Sequence, residues 1–275
     1  MDILPNDVDN KHFMFLGILI VIFFIVFTLG ATLAVLYFQI NIGMELYRFV
    51  HSFYEEFGVL GINIGVFFIS IIGNFTIILP VPYLFTLVLV TLLPDIHGNP
   101  VMLLVLGFSA GFGASVGELS AWILGRIGKN SLKKSSQLEK MNEWVEKGYA
   151  PFIIFIFAAT PIPDDTFMVV LGLANYSLWK TLFFCFLGKV TLTCSAAFMA
   201  SVASETTIGQ LFLQLYGINL NQVRSGVIQQ TTIGEIVTST MMWILTILII
   251  TVFILVDWNE IYNKLRKKES IDRPG

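Results

Sequence analysis

The chain has 275 residues, of which 56% are hydrophobic and 13% are charged, and its mean hydropathy is +0.80. Soluble globular domains carry about 25% charged residues, so this composition excludes one and predicts an integral membrane protein. The formal net charge of −3 says little about partners, because the positions of the charges matter more than their sum. Both cysteines, Cys185 and Cys194, fall inside one apolar segment, which argues against a disulfide framework.

A helix that spans a bilayer needs about 20 consecutive apolar residues. The segments that meet this requirement, in chain order, are 13–38, 99–125, 177–203 and 233–257. The first is too long for the apolar part of a signal peptide and has no cleavage pattern, so it is also predicted to span. Two shorter amphipathic stretches, 46–57 and 208–215, predict helices that lie at the membrane surface.

Two further apolar stretches, 58–94 and 150–174, each contain a Pro-x-Pro sequence. A helix cannot continue unperturbed through two such prolines, since each lacks an N–H and clashes with the preceding turn. In hydrocarbon, broken helices occur only where protein buries them or where they line a cavity. Each stretch is therefore predicted to be a re-entrant hairpin, as is typical of transporter repeats. The residues that break the helices are Pro80 and Pro82 in the first hairpin and Pro161 and Pro163 in the second.

Lysine and arginine are concentrated in two places. The loop 126–148 holds six of the sixteen and the tail 264–273 holds five. Basic loops stay in the cytoplasm, so both segments are predicted to be cytoplasmic, with Arg126 at the inner membrane interface. The first hairpin then enters from outside and the second from the cytoplasm, which makes them an inverted repeat.

The predicted fold class is an all-α polytopic membrane protein with four transmembrane helices and two opposed re-entrant hairpins. Residues 1–57 form an N-terminal span and an interfacial helix, and residues 58–203 form a core with both hairpins. Residues 204–275 form a second interfacial helix, the last span and a basic tail. Within the core, small residues recur at helical spacing and predict a seam for close helix packing. Its members, apart from Glu118, are Gly107, Gly111, Ala114, Ala121 and Gly125.

Charged residues also occur within the apolar segments, where each one indicates a functional site. Glu118 and Lys189 lie at the same predicted depth, about 12–14 Å from the inner boundary at 1.5 Å per residue, and are expected to pair. Asp164 and Asp165 directly follow the second break, which brings them toward Lys189. Three carboxylates facing one lysine favour a bound proton or cation, so all four are candidate transport and coupling residues. Two alternatives stay open: a purely structural Glu–Lys pair, or interfacial aspartates, with Asp165 capping a helix that begins near Phe167.

Other classes of site find little support in the sequence. The three histidines, His12, His51 and His97, show no metal-ligand spacing. No nucleophile stands beside a general base in a recognisable pattern, so we predict neither an enzyme nor a cofactor or metal. The basic loop suits anionic lipid headgroups better than nucleic acid.

Two motifs of the core are the most specific ones in the chain, above all the glycine-rich one. The sequence Gly113-Ala-Ser-Val-Gly-Glu-Leu-Ser-Ala-Trp-Ile-Leu-Gly-Arg-Ile-Gly follows the first hairpin, and Phe157-Ala-Ala-Thr-Pro-Ile-Pro follows the basic loop. Over residues 58–203 the chain resembles the DedA family, also called the VTT or SNARE-associated Golgi protein domain. The resemblance implies two opposed re-entrant hairpins. It also implies lipid transport: bacterial members are associated with the return of polyprenyl-phosphate carrier lipids and with proton-motive-force homeostasis, and eukaryotic members with phospholipid scrambling.

One difference from the bacterial pattern concerns the second hairpin. Those relatives usually carry arginines three residues before and three residues after the hairpin proline, where this chain has Ala158 and Asp164. Arginine is the side chain best suited to bidentate phosphate recognition. In this chain Lys189 is left to supply a phosphate-facing charge, as a point charge only.

The expected function is translocation of lipid between leaflets, as a flippase or scramblase of phospholipid or polyprenyl-phosphate lipid, coupled to protons or a monovalent cation. The alternatives are an ion-coupled transporter of a small soluble solute and a non-transporting membrane scaffold. The expected partners are membrane lipids and the coupling ion, without nucleic acid, in the plasma membrane of a prokaryote. The transported lipid, the coupling ion and the oligomeric state stay open.

Overall fold

The structure, a computed structural model, describes residues 42–75, 83–128, 148–160, 164–216 and 218–225, with scattered positions at 30–37 and 232–245. Over these residues the chain forms helices and no strand, which confirms the all-helical class. The described helices are α1 (Ile42–Phe75), α2 (Tyr83–Val90), α3 (Pro100–Gly128), α4 (Ala150–Ala158), α5 (Asp165–Leu173), α6 (Leu178–Ala203), α7 (Thr207–Leu215) and α8 (Leu220–Ser225). Residues 41–214 and 218–231 form one compact unit, which contains the polar clusters and the groove described below.

Several predicted features lie outside the described residues. They include the four hairpin prolines, Pro80, Pro82, Pro161 and Pro163, as well as most of the predicted first and last spans, most of the basic loop and the basic tail. The number of spans and the re-entrant placement of the hairpins therefore stay predictions.

Three described helical stretches are long and apolar enough to cross a membrane: Glu45–Phe75, Pro100–Gly128 and Leu178–Ala203. The last two coincide with the predicted spans 99–125 and 177–203. The first stretch is interrupted by Gly58, whose φ of 60° and ψ of −144° are not helical. This conformation is open to glycine and strained for other residues. The stretch is therefore two shorter helices rather than one continuous span.

The two parts of α1 pack against each other. A Cβ on Gly61 would lie 1.9 Å from the carbonyl oxygen of Phe53, and one on Gly65 would lie 3.1 Å from Cα of Val50. The chain thus folds back at Gly58, the position at which the sequence pattern changes from the amphipathic stretch 46–57 to the first hairpin. The second part of α1 and α2 are the described arms of that hairpin.

The arms of the second hairpin, α4 and α5, have nine residues each. At 1.5 Å per residue, each arm is about 14 Å long. The hydrocarbon core of a bilayer is about 30 Å thick, so neither arm can cross it alone. This length is compatible with the predicted re-entrant hairpin.

Helix α3 lies at the centre of the unit and approaches three neighbours through glycines. A Cβ on Gly111 would lie 2.6 Å from the backbone of α6, and one on Gly125 would lie 1.9 Å from a carbonyl oxygen of α5. On another side, a Cβ on Gly117 would lie 2.5 Å from a carbonyl oxygen of α1. Small residues permit this backbone contact between helices. The predicted seam is confirmed: its glycines allow close contact of α3 with α5 and α6. Gly117 allows close contact of α3 with α1.

Helices α3 and α6 are antiparallel. Gly107 lies against Cys194, whereas Gly111, four residues later, lies against Val190, four residues earlier. The hydroxyl of Thr193 adds a hydrogen bond between the helices, donating to the carbonyl oxygen of Gly107 at 2.6 Å. The beginning of α6 therefore lies beside the end of α3.

Helix α7 matches the second predicted surface helix. Its predicted apolar stripe is exposed and consists of Ile208, Leu211, Phe212 and Leu215. An exposed apolar face of this kind is what a helix at the membrane surface presents to lipid.

Candidate functional site

The side chain of Lys189, on α6, is the centre of a buried polar cluster. Its Nζ donates hydrogen bonds to Glu118 Oε1 at 2.7 Å, to Asp164 Oδ1 at 3.0 Å and to Asn74 Oδ1 at 3.2 Å. An ammonium has three donors, so all of them are used. We call these four residues the Lys189 cluster. One cation thus holds α1, α3, α6 and the residue that precedes α5.

Close helix packing brings the members together. Glu118 directly follows Gly117, where α3 touches α1, and its side chain is 3% exposed. Lys189 directly follows Gly188, where an added Cβ would lie 2.6 Å from Cβ of Ala158 in α4. Because these glycines have no side chain, α1 packs closely on α3 and the second hairpin packs closely on α6, next to the charged groups.

Asp164 occupies the N-cap position of α5 but does not act as its cap. An N-cap aspartate ordinarily accepts a hydrogen bond from a backbone N–H in the first turn of its helix. Here the side chain makes no capping hydrogen bond and is instead bound to Lys189. The ion pair between Asp164 and Lys189 therefore links the second hairpin to α6.

Asp165 lies at the edge of the cluster, where its carboxylate interacts with Glu118, Asp164 and Lys189. It is the first residue of α5 and is half-buried, in the first turn, where the helix dipole favours a negative charge. The interpretation of Asp165 as the cap of a helix beginning near Phe167 is wrong, because the helix begins at Asp165 itself.

The charges of the cluster do not balance when both carboxylates are ionised. Two buried carboxylates, Glu118 and Asp164, face one ammonium, and each has a second buried oxygen (Oε2 and Oδ2) that accepts no hydrogen bond from the described residues. An uncompensated charge in such surroundings is costly. A proton taken up by one carboxylate, or a bound cation, removes this cost, so the arrangement is suited to carrying one positive charge. Tyr83, at the start of α2, is close enough to interact electrostatically with all three charged groups.

Asn74 is the member that the sequence analysis missed as a site residue. Its Nδ2 donates to the carbonyl oxygen of Ser70 at 2.9 Å, which leaves Oδ1 to face the ammonium. The signal available in the sequence was a polar amide side chain inside the apolar run that precedes the first Pro-x-Pro sequence. Asp164 occupies the comparable place just after the second break.

Arg126 lies apart from the cluster, in the last turn of α3. Its guanidinium carbon is 5.8 Å from the ring centroid of Trp122, which is the geometry of a cation–π contact. The side chain is exposed. Its predicted place at the inner membrane interface stays a prediction.

A second polar cluster lies at the far end of α6. Glu205 accepts from Arg224 and lies 2.7 Å from Nε2 of His97, whose Nδ1 is 3.3 Å from the hydroxyl of Ser201. We call these residues the distal clasp, since they join the loop 91–99, the end of α6 and α8. The hydrogen bond with His97, followed by the charge of Arg224, holds the pKa of Glu205 below its usual value. The sequence analysis did not identify this cluster.

The fold and the cluster define a helical membrane-embedded protein with ionisable side chains buried between its helices. A family model for the VTT domain matches residues 66–202. The chain belongs to this family, the DedA family, and the matched region contains every residue of the Lys189 cluster. Neither a search of curated proteins nor a search of solved structures found a match.

Proposed function

We propose that this protein moves lipids between the two leaflets of a membrane and that the Lys189 cluster couples the movement to a proton or a monovalent cation. The observation that carries the proposal is a single buried ammonium shared by both hairpin regions and two long apolar helices. Membership of the VTT-domain family supports the lipid substrate.

The proposed coupling follows from the partners of the ammonium. When Asp164 or Glu118 takes up a proton, its attraction for Lys189 falls, because a neutral carboxyl group no longer offers a full negative charge. The second hairpin is then held less tightly to α6. Lys189 becomes available to another anion, and the phosphate of a lipid headgroup is the anion that a membrane supplies. Protonation and headgroup binding thus compete for one ammonium.

We also propose an orientation and a location. The positive-inside rule places the loop 126–148 and the C-terminus in the cytoplasm, and the plasma membrane of a prokaryote is the proposed location. In that orientation the second hairpin, with Asp164, opens toward the cytoplasm.

The test is reconstitution of the full chain into liposomes that contain a fluorescent phospholipid in one leaflet. We expect the wild type to transfer this lipid faster than protein-free liposomes, with a rate that depends on pH. Lys189→Ala should abolish the transfer. Glu118→Gln should remove the pH dependence, because the one buried carboxylate that remains, Asp164, then balances the charge of the ammonium.

The matched control is Glu205→Gln, the same chemical change in the distal clasp, which should keep the pH dependence. Absence of lipid transfer at every pH in the wild type would refute the proposal. Flux of a soluble solute without lipid transfer would instead identify an ion-coupled carrier, and the absence of both a scaffold.

A further inference from the structure

An apolar groove runs between α3 and α6. Its volume is about 300 Å³ and its walls are Phe112, Ser115, Trp179, Leu182, Phe183 and Phe186. The only hydroxyl among them, on Ser115, donates to the carbonyl oxygen of Phe112 at 2.8 Å. We call this feature the aromatic groove. Its lining offers hydrocarbon and aromatic surface and leaves no hydroxyl donor for a polar ligand.

The aromatic groove opens on the outer surface of the two helices. Phe183 is 56% exposed and Trp179 is 77% exposed, and both helices are apolar enough to span a bilayer. Aromatic side chains bury large areas and contribute strongly to binding when an apolar partner covers them. The partner that fits this surface, at this position on two spanning helices, is a hydrocarbon chain.

One end of the aromatic groove carries residue types that are common at the level of lipid headgroups. Because α3 and α6 are antiparallel, the beginning of α6, with Trp179 and Lys180, lies beside the end of α3, with Trp122 and Arg126. Both cations are exposed. Tryptophan and basic residues are typical of the level at which lipid headgroups lie. The groove is therefore complementary to an amphiphile with an anionic headgroup and an apolar tail.

The groove also adjoins the Lys189 cluster. Residues three apart in a helix are neighbours on its surface. Phe186 precedes Lys189 by three residues, and Ser115 precedes Glu118 by three residues. From Trp179 to Phe186, the groove extends about 10 Å along α6, at 1.5 Å per residue. A tail that fills it ends one helical turn from the charged cluster.

We propose that the aromatic groove binds one acyl chain of an anionic phospholipid, with the headgroup at Lys180 and Arg126. The role of this site as the place where a lipid begins its passage rests on the proposed function. The binding itself does not, and it can be measured without transport.

The test of binding replaces Phe183 by the photoreactive residue p-benzoylphenylalanine in the full chain. The variant is placed in vesicles of phosphatidylcholine and phosphatidylglycerol, irradiated and analysed by mass spectrometry. We expect phospholipid adducts enriched in phosphatidylglycerol. The enrichment should fall in Lys180→Gln. The matched control replaces Phe152, an exposed phenylalanine of α4, and should give adducts without that enrichment.

Two results would overturn the proposal. A cross-link from position 183 to the chain's own residues 13–38 or 233–257 would mean that a helix of the protein covers the groove. Equal adducts at positions 183 and 152, without headgroup preference, would mean general contact with the bilayer only.

A second variant separates binding from transport. Leu182→Trp should fill the groove and reduce both the adduct yield and the rate of lipid transfer several-fold. The control Val202→Trp, at an exposed position near the other end of α6, should change neither. If Leu182→Trp loses the adducts but transfers lipid at the wild-type rate, the binding site is supported and its role in lipid passage is refuted. If the wild type forms adducts but transfers no lipid, the binding site is supported and the proposed function is refuted.

Discussion

The Lys189 cluster and the distal clasp are both made of cations bound to carboxylates, yet they stand in opposite surroundings. In the Lys189 cluster the paired side chains of Lys189 and Glu118 are 5% and 3% exposed. In the distal clasp those of Arg224 and Glu205 are 33% and 59% exposed. Water screens the attraction in the clasp, so that pair contributes little to stability. In the buried cluster each charge depends on its protein partners.

The comparison shows why charge balance matters at one site and not at the other. A surplus charge on Glu205 is solvated, whereas a surplus charge on Glu118 or Asp164 is not. Only the buried cluster gains a large advantage from taking up a proton or a cation. The proposed ion coupling is therefore placed at the Lys189 cluster, whereas the distal clasp joins the loop 91–99 to α6 and α8.

The largest effect is expected from Lys189→Met. This change leaves two buried carboxylates without their cation, and breaking a buried ion pair in this way costs about 3–5 kcal/mol. Thermal unfolding of the purified variant in detergent, at neutral pH, measures the loss as a lower Tm.

The control for that variant is the triple change Lys189→Met, Glu118→Gln and Asp164→Asn. It removes the carboxylate charges together with the ammonium, so most of the lost stability should return. A single variant as stable as the wild type would contradict the dependence of the buried charges on one another. A triple variant no more stable than the single one would indicate that packing, rather than charge, is responsible.

A smaller effect is expected from Asn74→Ala. The change removes one neutral acceptor from the ammonium without changing the charge of the cluster. A hydrogen bond to a charged group contributes about 1.5–3 kcal/mol, so Tm should fall by less than in Lys189→Met.

The matched control is Asn63→Ala, on the same part of α1. The Asn63 amide is half-buried and donates to the carbonyl oxygen of Val59 at 2.9 Å, with no charged partner among the described residues. It should lose less stability than Asn74→Ala. Equal losses in the two variants would mean that the contact between Asn74 and Lys189 adds nothing.

Part of this architecture could be predicted because it depends on distance along the chain. Length and apolarity placed two spans where α3 and α6 occur. The rise per residue, applied to two antiparallel helices, placed Glu118 and Lys189 at one level, and the structure brings them to 2.7 Å. Because Asp164 directly follows the second Pro-x-Pro sequence, its carboxylate was predicted to lie near Lys189.

The remainder depends on contacts between distant parts of the chain. Asn74 reaches Lys189 only because α1 packs closely on α3 at Gly117, a contact without a sequence period of its own. His97 and Glu205 are 108 residues apart and meet only at the ends of packed helices. Helix α5 begins two residues before Phe167, the start considered as one alternative, because a charge pattern does not fix where a helix begins.

The smallest effect is expected in the distal clasp and appears as a dependence on pH. The pKa of Glu205 is lowered in the folded protein, mainly by its hydrogen bond with His97 and then by Arg224. Such a group stabilises the fold above its ordinary value of 4.5, and the contribution is lost as the pH falls through the lower folded value. Hydrogen exchange of residues 91–99, corrected for the intrinsic effect of pH, should therefore quicken on acidification in the wild type. In Glu205→Gln it should be faster at neutral pH and change less on acidification, while exchange in the middle of α3 stays the same in both proteins. Identical profiles for the loop in both proteins would show that Glu205 does not hold it.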